Sequence, residues 1–271
     1  MTSLIQIIGA GQMGAGIAQV CLKAGFSVHL VDICEAQRLK GVAKISKHAS
    51  QKEILHLSHG DQLLLEKTSF MIEAIAEDLD LKKSLWSTLP DFFLTSSSST
   101  IFASNTSSFS ITELASFVKK PSSFIGIHFM NPVPKMELVE VIRGLQTTDQ
   151  TYNYALEWIE HLKKTAITSK DRPGFILNRI LLLMINEAVF LLDQGISDAL
   201  SIDKAMTLGA HHPMGPLALA DLIGLDTCVA ILKDLHKRLG EDKYRPSPLW
   251  DIYVNAGHFG RKSGRGFYEY P

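Results

Sequence analysis

The sequence predicts an α/β fold, a doubly wound (Rossmann) and mostly parallel sheet followed by a smaller all-helical C-terminal domain. Three observations carry that prediction. Short apolar runs of strand length alternate with helix-compatible segments as far as Lys170, a glycine cluster separates the first run from the first helix, and no strand signal recurs beyond Asp171-Arg172-Pro173-Gly174. Alternation of strand and helix makes parallel crossover units, with helices covering both faces of the sheet. We place the domain boundary near Lys170, which gives a 1–170 sheet domain and a 171–271 helical domain.

The first strand, Leu4 to Gly9, runs into GAGQMGAGIAQV. Gly9 permits a tight turn, Gly11 lets the backbone approach a pyrophosphate, and Gly14 lets the helix pack on the strand. Gln12 and Met13 open that helix, whose unpaired N–H groups face the anion. The second strand, Ser27 to Asp32, ends on an acid at the spacing expected of a ribose-binding carboxylate. Asp32 accepts hydrogen bonds from the adenosine ribose and repels a 2′-phosphate, so the fingerprint favours NAD over NADP.

Further strands are predicted at Met71 to Ala76, Ile101 to Ser104 and Phe124 to Phe129. Another, Glu137 to Arg143, follows the NPVPK turn, and a helix from Tyr152 to Lys164 leads to a last strand, Ala166 to Ser169. Residues from about Lys40 to Thr68 read irregularly, and Ser96 to Ser99 read as a loop. The second domain is predicted as a long apolar helix from Phe175 to Gly195, then helices at Ile202 to Leu208, Gly215 to Ile223, Leu225 to Leu239 and Pro248 to Ala256. Asn178, Arg179, Asn186, Glu187 and Asp193 argue against a membrane span in the long helix, which instead needs covering on several sides, by its own domain and by a second subunit. We therefore expect a homodimer.

Lys and Arg number 27 against 28 Asp and Glu, so bulk charge offers nothing to nucleic acid or to an anionic membrane. Cys21, Cys34 and Cys228 lack metal-ligand spacing and fit a reducing compartment, and the adjacent His211 and His212 lack the converging partners a metal needs. The first strand starts almost at the N-terminus, and we expect a cytoplasmic protein with no signal or transit peptide.

His128 lies at the carboxyl end of the fifth predicted strand, the edge where open α/β sheets bind ligands, and Glu140 lies twelve positions later. If the chain folds back about Pro134, the two are equidistant from the turn and face each other. A carboxylate on one imidazole nitrogen fixes the tautomer and leaves the other nitrogen to take a proton, which suits alcohol oxidation with hydride transfer to nicotinamide. The alternative on the residues alone is a strand-end histidine bonded to backbone beside an unrelated surface glutamate.

Together, GAGQMGAGIAQV, EAIAEDLDLKK, ASNTSSFSITEL, IGIHFMNPVPKMELVEVIRG, DRPGFILNRILLLMINEA, HHPMGPLALADLIGLD and GRKSGRGFYEY resemble the NAD-dependent 3-hydroxyacyl-CoA dehydrogenases, in the family's order and over nearly the whole chain. The resemblance implies interconversion of L-3-hydroxyacyl-CoA and 3-oxoacyl-CoA in fatty acid metabolism, with His128 as general base and Glu140 orienting it. It implies that Asn178 positions the substrate and the charge on its oxygen, and that Ser107 bonds between substrate and cofactor. It also implies cofactor contacts at Glu77, Lys82, Asn105, Asn131 and Lys262. One departure stands out. The segment from Lys40 to Thr68 is shorter than the family's helical arm, leaving Lys44, Lys47 and Lys52 as the candidates for the CoA phosphates. Two rival readings are an NAD-dependent dehydrogenase of a free 3-hydroxy acid or sugar acid, and a non-catalytic NAD-binding structural protein of the kind found among lens crystallins.

Overall fold

Strand β1 (Leu4–Ile8) is almost entirely buried, as a central parallel strand covered on both faces must be. The computed structural model, which describes residues 4–46, 55–58, 68–89 and 100–271, builds outward from it. After β1 come α1 (Gln12–Lys23), β2 (Ser27–Val31), α2 (Glu35–Ser46), β3 (Leu55–Ser58), β4 (Thr68–Glu73), α3 (Leu79–Ser87), β5 (Ile101–Ser104), α4 (Ile111–Ala115), β6 (Phe124–Phe129), β7 (Leu138–Arg143), α5 (Asp149–His161) and β8 (Thr165–Lys170). Among the described residues these strands form one sheet of order β3-β2-β1-β4-β5-β6-β7-β8. Only the β6–β7 pair is antiparallel. The strand order reverses between β1 and β4, and ligands of such sheets bind outside the carboxyl ends at that point.

Each face of the sheet carries its own core. Ile5, Ile7, Val28, Phe70, Ile127 and Val141 pack with Ile17 of α1 and Trp158 of α5, while Met71, Phe102 and Phe124 pack with Trp86 of α3 and Leu114 of α4.

Several boundaries differ from the sequence expectation, and three in the sheet unit have a local reason. The stretch read as irregular holds the end of α2 and all of β3, whose four residues pair with β2. The strand expected at Met71 to Ala76 begins at Thr68 and stops at Glu73, because Ile75 donates its N–H to the Glu73 carboxylate rather than continuing the ladder. The chain divides at Phe175/Ile176 rather than near Lys170. Asp171 accepts from Ser110 Oγ and from the Ile111 and Thr112 N–H groups that open α4, and Phe175 joins the core with Met71, so both belong to the first unit. Ser96 to Ser99 lie outside the described residues.

The second unit, Ile176–Pro271, contains α6 (Leu177–Asp193), α7 (Ala199–Lys204), α8 (Pro216–Ile223), α9 (Leu225–Leu239) and α10 (Pro248–Asn255). The helix expected to run to Leu208 ends at Lys204 and passes into a π-helical turn over Ala205–Gly209. Leu182 and Ile185 of α6, Leu217, Leu232 and Trp250 form this unit's core. Buried Asn186 ties it together by accepting from Trp250 Nε1 and the Ser247 N–H while donating to the Arg245 carbonyl. Buried Asp221 accepts from the N–H groups of Phe267 and Tyr268 and from the Tyr270 hydroxyl, clamping the C-terminal segment. Ile180 of α6 remains 66% exposed. No helix among the described residues is long and apolar enough to cross a membrane.

Candidate active site

The carboxyl edge of the sheet gathers most of the residues that the sequence singled out. At its β1–β2 end, Gly9 has φ +104° and a Cβ there would lie 2.5 Å from the Ala74 carbonyl oxygen. A Cβ on Gly14 would lie 1.8 Å from the Gly9 carbonyl oxygen, so both glycines are required by the chain's own packing. Gly11 differs. Its φ is −65°, and a Cβ would meet nothing within 4 Å, so the described chain does not itself demand glycine there. That pattern fits a backbone cradle for a pyrophosphate, approached at Gly11 and backed by the start of α1, where Gln12 and Met13 stand and no side chain caps the N–H groups.

Asp32 follows β2 immediately. Its Oδ2 accepts from the Ala10 N–H at 2.7 Å and its Oδ1 from the Cys34 N–H at 2.8 Å, so the carboxylate is fixed against the glycine loop with further lone pairs for ribose hydroxyls. The residues present therefore suit NAD.

At the β6–β7 end, antiparallel register pairs His128 directly with Glu140, and Nδ1 lies 2.8 Å from Glu140 Oε2. The turn at Pro134 does bring the two together. Glu140 is 1% exposed and His128 7%, and the imidazole packs against the Phe175 ring with centroids 5.7 Å apart. Just beyond β5, Asn105 Oδ1 accepts from the Phe129 N–H, joining that strand end to the residue after His128. Asn131 Oδ1 accepts from Gln12 Nε2, linking the loop after β6 to the start of α1.

Between the two ends lies a network of charge, buried at Glu73 and Lys82 and exposed at Glu77. Glu77 Oε1 accepts from Thr106 Oγ1 and Ser108 Oγ and from the N–H groups of Ser107 and Ser108, shaping the loop that carries Ser107. Burial pushes the Glu77 carboxyl upward, but the Lys82 ammonium and these hydrogen bonds outweigh it and hold it below the ordinary carboxylate range. Lys82 is itself 1% exposed, with Nζ 2.5 Å from Glu73 Oε1 and 3.3 Å from Glu77 Oε2. Its ammonium is thus committed to two carboxylates.

The 3-hydroxyacyl-CoA dehydrogenase NAD-binding domain model matches residues 4–172, and the model of that family's C-terminal domain matches residues 174–270. The chain belongs to the 3-hydroxyacyl-CoA dehydrogenase family. It is 47% identical over 281 residues to a 3-hydroxybutyryl-CoA dehydrogenase of Bradyrhizobium diazoefficiens, covering 98% of this chain and 94% of that one. It is 39% identical over 287 residues to the human mitochondrial hydroxyacyl-coenzyme A dehydrogenase, covering 98% and 90%. The crystal structure of (S)-3-hydroxybutyryl-CoA dehydrogenase from Ralstonia eutropha superposes with a TM-score of 0.89 at 42% identity, covering all of both chains. The chain is an NAD-dependent dehydrogenase of this family.

Two of the expected site residues of this dehydrogenase stand in the second unit. Asn178 lies in the first turn of α6, and Lys262, half-exposed, pairs with Asp226 at 2.6 Å. Lys44 is exposed on α2, whereas Lys47 and Lys52 lie outside the described residues. Glu73 opens the EAIAEDLDLKK block, but the sequence reading gave it no role. Only the adjacency of β4 and β5, which sets Ser104 opposite it, marks it as part of the site.

Proposed function

We propose that this dehydrogenase interconverts a short-chain L-3-hydroxyacyl-CoA, such as 3-hydroxybutyryl-CoA, and its 3-oxoacyl-CoA. The observation that carries the catalytic part is the His128–Glu140 pair at 2.8 Å, buried at the carboxyl ends of a sheet whose other end is built for a dinucleotide. With Glu140 holding Nδ1–H, His128 presents Nε2 to the substrate. The hydroxyl proton passes to Nε2 while a hydride leaves the same carbon, and Glu140 offsets the charge the ring takes up. NAD supplies the hydride acceptor. In the reverse direction His128 returns the proton to the carbonyl oxygen. Ser107 orients the substrate against the cofactor, Asn178 steadies the developing oxygen charge, and Asn105, Asn131, Glu77, Lys82 and Lys262 organise the cofactor side. Substrate preference is supported by the names of the relatives; the grip on CoA is assigned to the Lys44 region.

The protein is proposed to act as a cytoplasmic homodimer in fatty acid metabolism, joined through the helical unit and without nucleic-acid or membrane partners. Ile180 at 66% exposure on α6, with Leu200, Leu222 and Ile252 also exposed, supports that interface. Light scattering is expected to give a dimer, and a monomer at high micromolar concentration contradicts it. For the substrate, NADH consumption is followed with acetoacetyl-CoA and with free acetoacetate in parallel. Turnover of the thioester and not of the free acid is expected; the reverse moves the enzyme to the free-acid class, and NAD binding without turnover of either indicates the structural role.

A further inference from the structure

Glu73 ends β4 and is fully buried. Among the described residues its carboxylate oxygens meet donors: the Ile75 N–H at 2.9 Å and Lys82 Nζ at 2.5 Å on Oε1, and the Ser104 hydroxyl at 2.6 Å on Oε2. Ser104 Oγ in turn accepts from the Thr106 N–H, which leaves its proton for Glu73. Both oxygens of Glu73 thus act as acceptors, and one of them ion-pairs with Lys82. Lys82 then answers two carboxylates with one ammonium, being 2.5 Å from Glu73 and 3.3 Å from Glu77. The cluster keeps a net negative charge.

That charge sits at the carboxyl ends of β4 and β5, and β6 beside them carries His128. A hydride must leave the carbon whose hydroxyl His128 deprotonates, so the nicotinamide ring works on this part of the edge. Oxidised nicotinamide is cationic and reduced nicotinamide is neutral, and a fixed negative charge distinguishes them. We propose that the Glu73–Lys82–Glu77 cluster favours NAD⁺ over NADH, and that Glu73, a positioning residue touching neither substrate nor cofactor, sets its sign by taking up the Lys82 ammonium. The proposal rests on NAD occupying this edge.

The test is to titrate NAD⁺ and NADH separately, by calorimetry and by NADH fluorescence, on the wild type and Glu73→Gln. A unit charge about 10 Å from a cation, in a medium of effective dielectric about 20, changes an affinity by on the order of tenfold. The ratio Kd(NAD⁺)/Kd(NADH) is expected to rise by about that factor in Glu73→Gln, with NADH affinity nearly unchanged. Equal weakening of both forms, or an unchanged ratio, overturns the proposal and leaves Glu73 a packing residue. Ser104→Ala removes a hydrogen bond but no charge, so it is expected to leave the ratio alone; a shift as large as that of Glu73→Gln also overturns it. Should Glu73→Gln not fold, Glu77→Gln removes the same charge from the more exposed end of the cluster and must raise the ratio in the same sense. A wild type that binds neither form contradicts the NAD reading itself, an outcome distinct from all of these.

Discussion

At the β1–β2 end of the carboxyl edge the site is made of backbone, whereas at the β4–β7 end it is made of charged side chains, buried except at Glu77. The first end offers glycines, helix N–H groups and one carboxylate held by two backbone donors. The second sets Glu73 at the end of β4, Glu77 in the turn after it, Lys82 on α3, and His128 and Glu140 on β6 and β7. A binding surface that acts through shape tolerates little added volume. A surface that acts through charge tolerates isosteric change and fails when a sign or a proton acceptor is removed. The contrast teaches that grip and chemistry are separable along one sheet edge, and substitutions should separate them.

The largest expected effect is at Gly14. Placing a Cβ 1.8 Å from a backbone oxygen forces α1 away from β1, so Gly14→Ala should lose most measurable NAD binding and lower Tm by several degrees. Calorimetry and a thermal melt check both. Gly11→Ala sharpens the point. Nothing in the described chain obstructs its methyl group, so Tm should stay within a degree or two while NAD affinity falls about tenfold or more, because only the pyrophosphate contact is lost. A fall in Tm matching that of Gly14→Ala would show that the loop, and not the ligand, requires the second glycine.

Asp32→Ala should erase much of the preference for NAD over NADP, changing the affinity ratio by about 10-fold to 100-fold, the scale of one or two hydrogen bonds to a charged group. Equal or tighter NADP binding in the wild type contradicts the ribose role.

The smallest effect concerns acid stability. The Glu77 carboxyl titrates below its ordinary value in the folded chain, so its stabilisation is fully present above that ordinary value and is lost as pH falls through the lowered one. Glu77→Gln should therefore flatten the acid limb of a Tm-against-pH profile and leave the neutral region shifted by a constant. An unchanged acid limb would place the charge balance elsewhere.

The sequence disclosed the backbone end more fully than the charged end, and the reason is physical. Each requirement of the glycine turn is local, so spacing between Gly9 and Asp32 announces it. His128 and Glu140 were legible because a symmetric fold-back about Pro134 predicts a cross-strand pair, which the β6–β7 register provides. Glu73 had no such signal. Its importance depends on β5 lying beside β4 and on Lys82 reaching back from α3. Strand β3 was equally silent, because LHLS offers too few apolar residues to stand out from its surroundings. The break at Asp171 was visible, but the use of that carboxylate to cap α4 depended on Ser110 being near in space, which placed the division a few residues later.

The most direct test of the division between grip and chemistry is the rate of hydride transfer in His128→Gln at saturating NAD, measured beside its NAD affinity. The account predicts a rate lower by about 10²-fold to 10⁴-fold, the scale of a lost general base, with NAD affinity within about twofold of wild type, and a similar result for Glu140→Gln. Near-normal transfer in either variant, or a loss that follows weakened NAD binding, would contradict it.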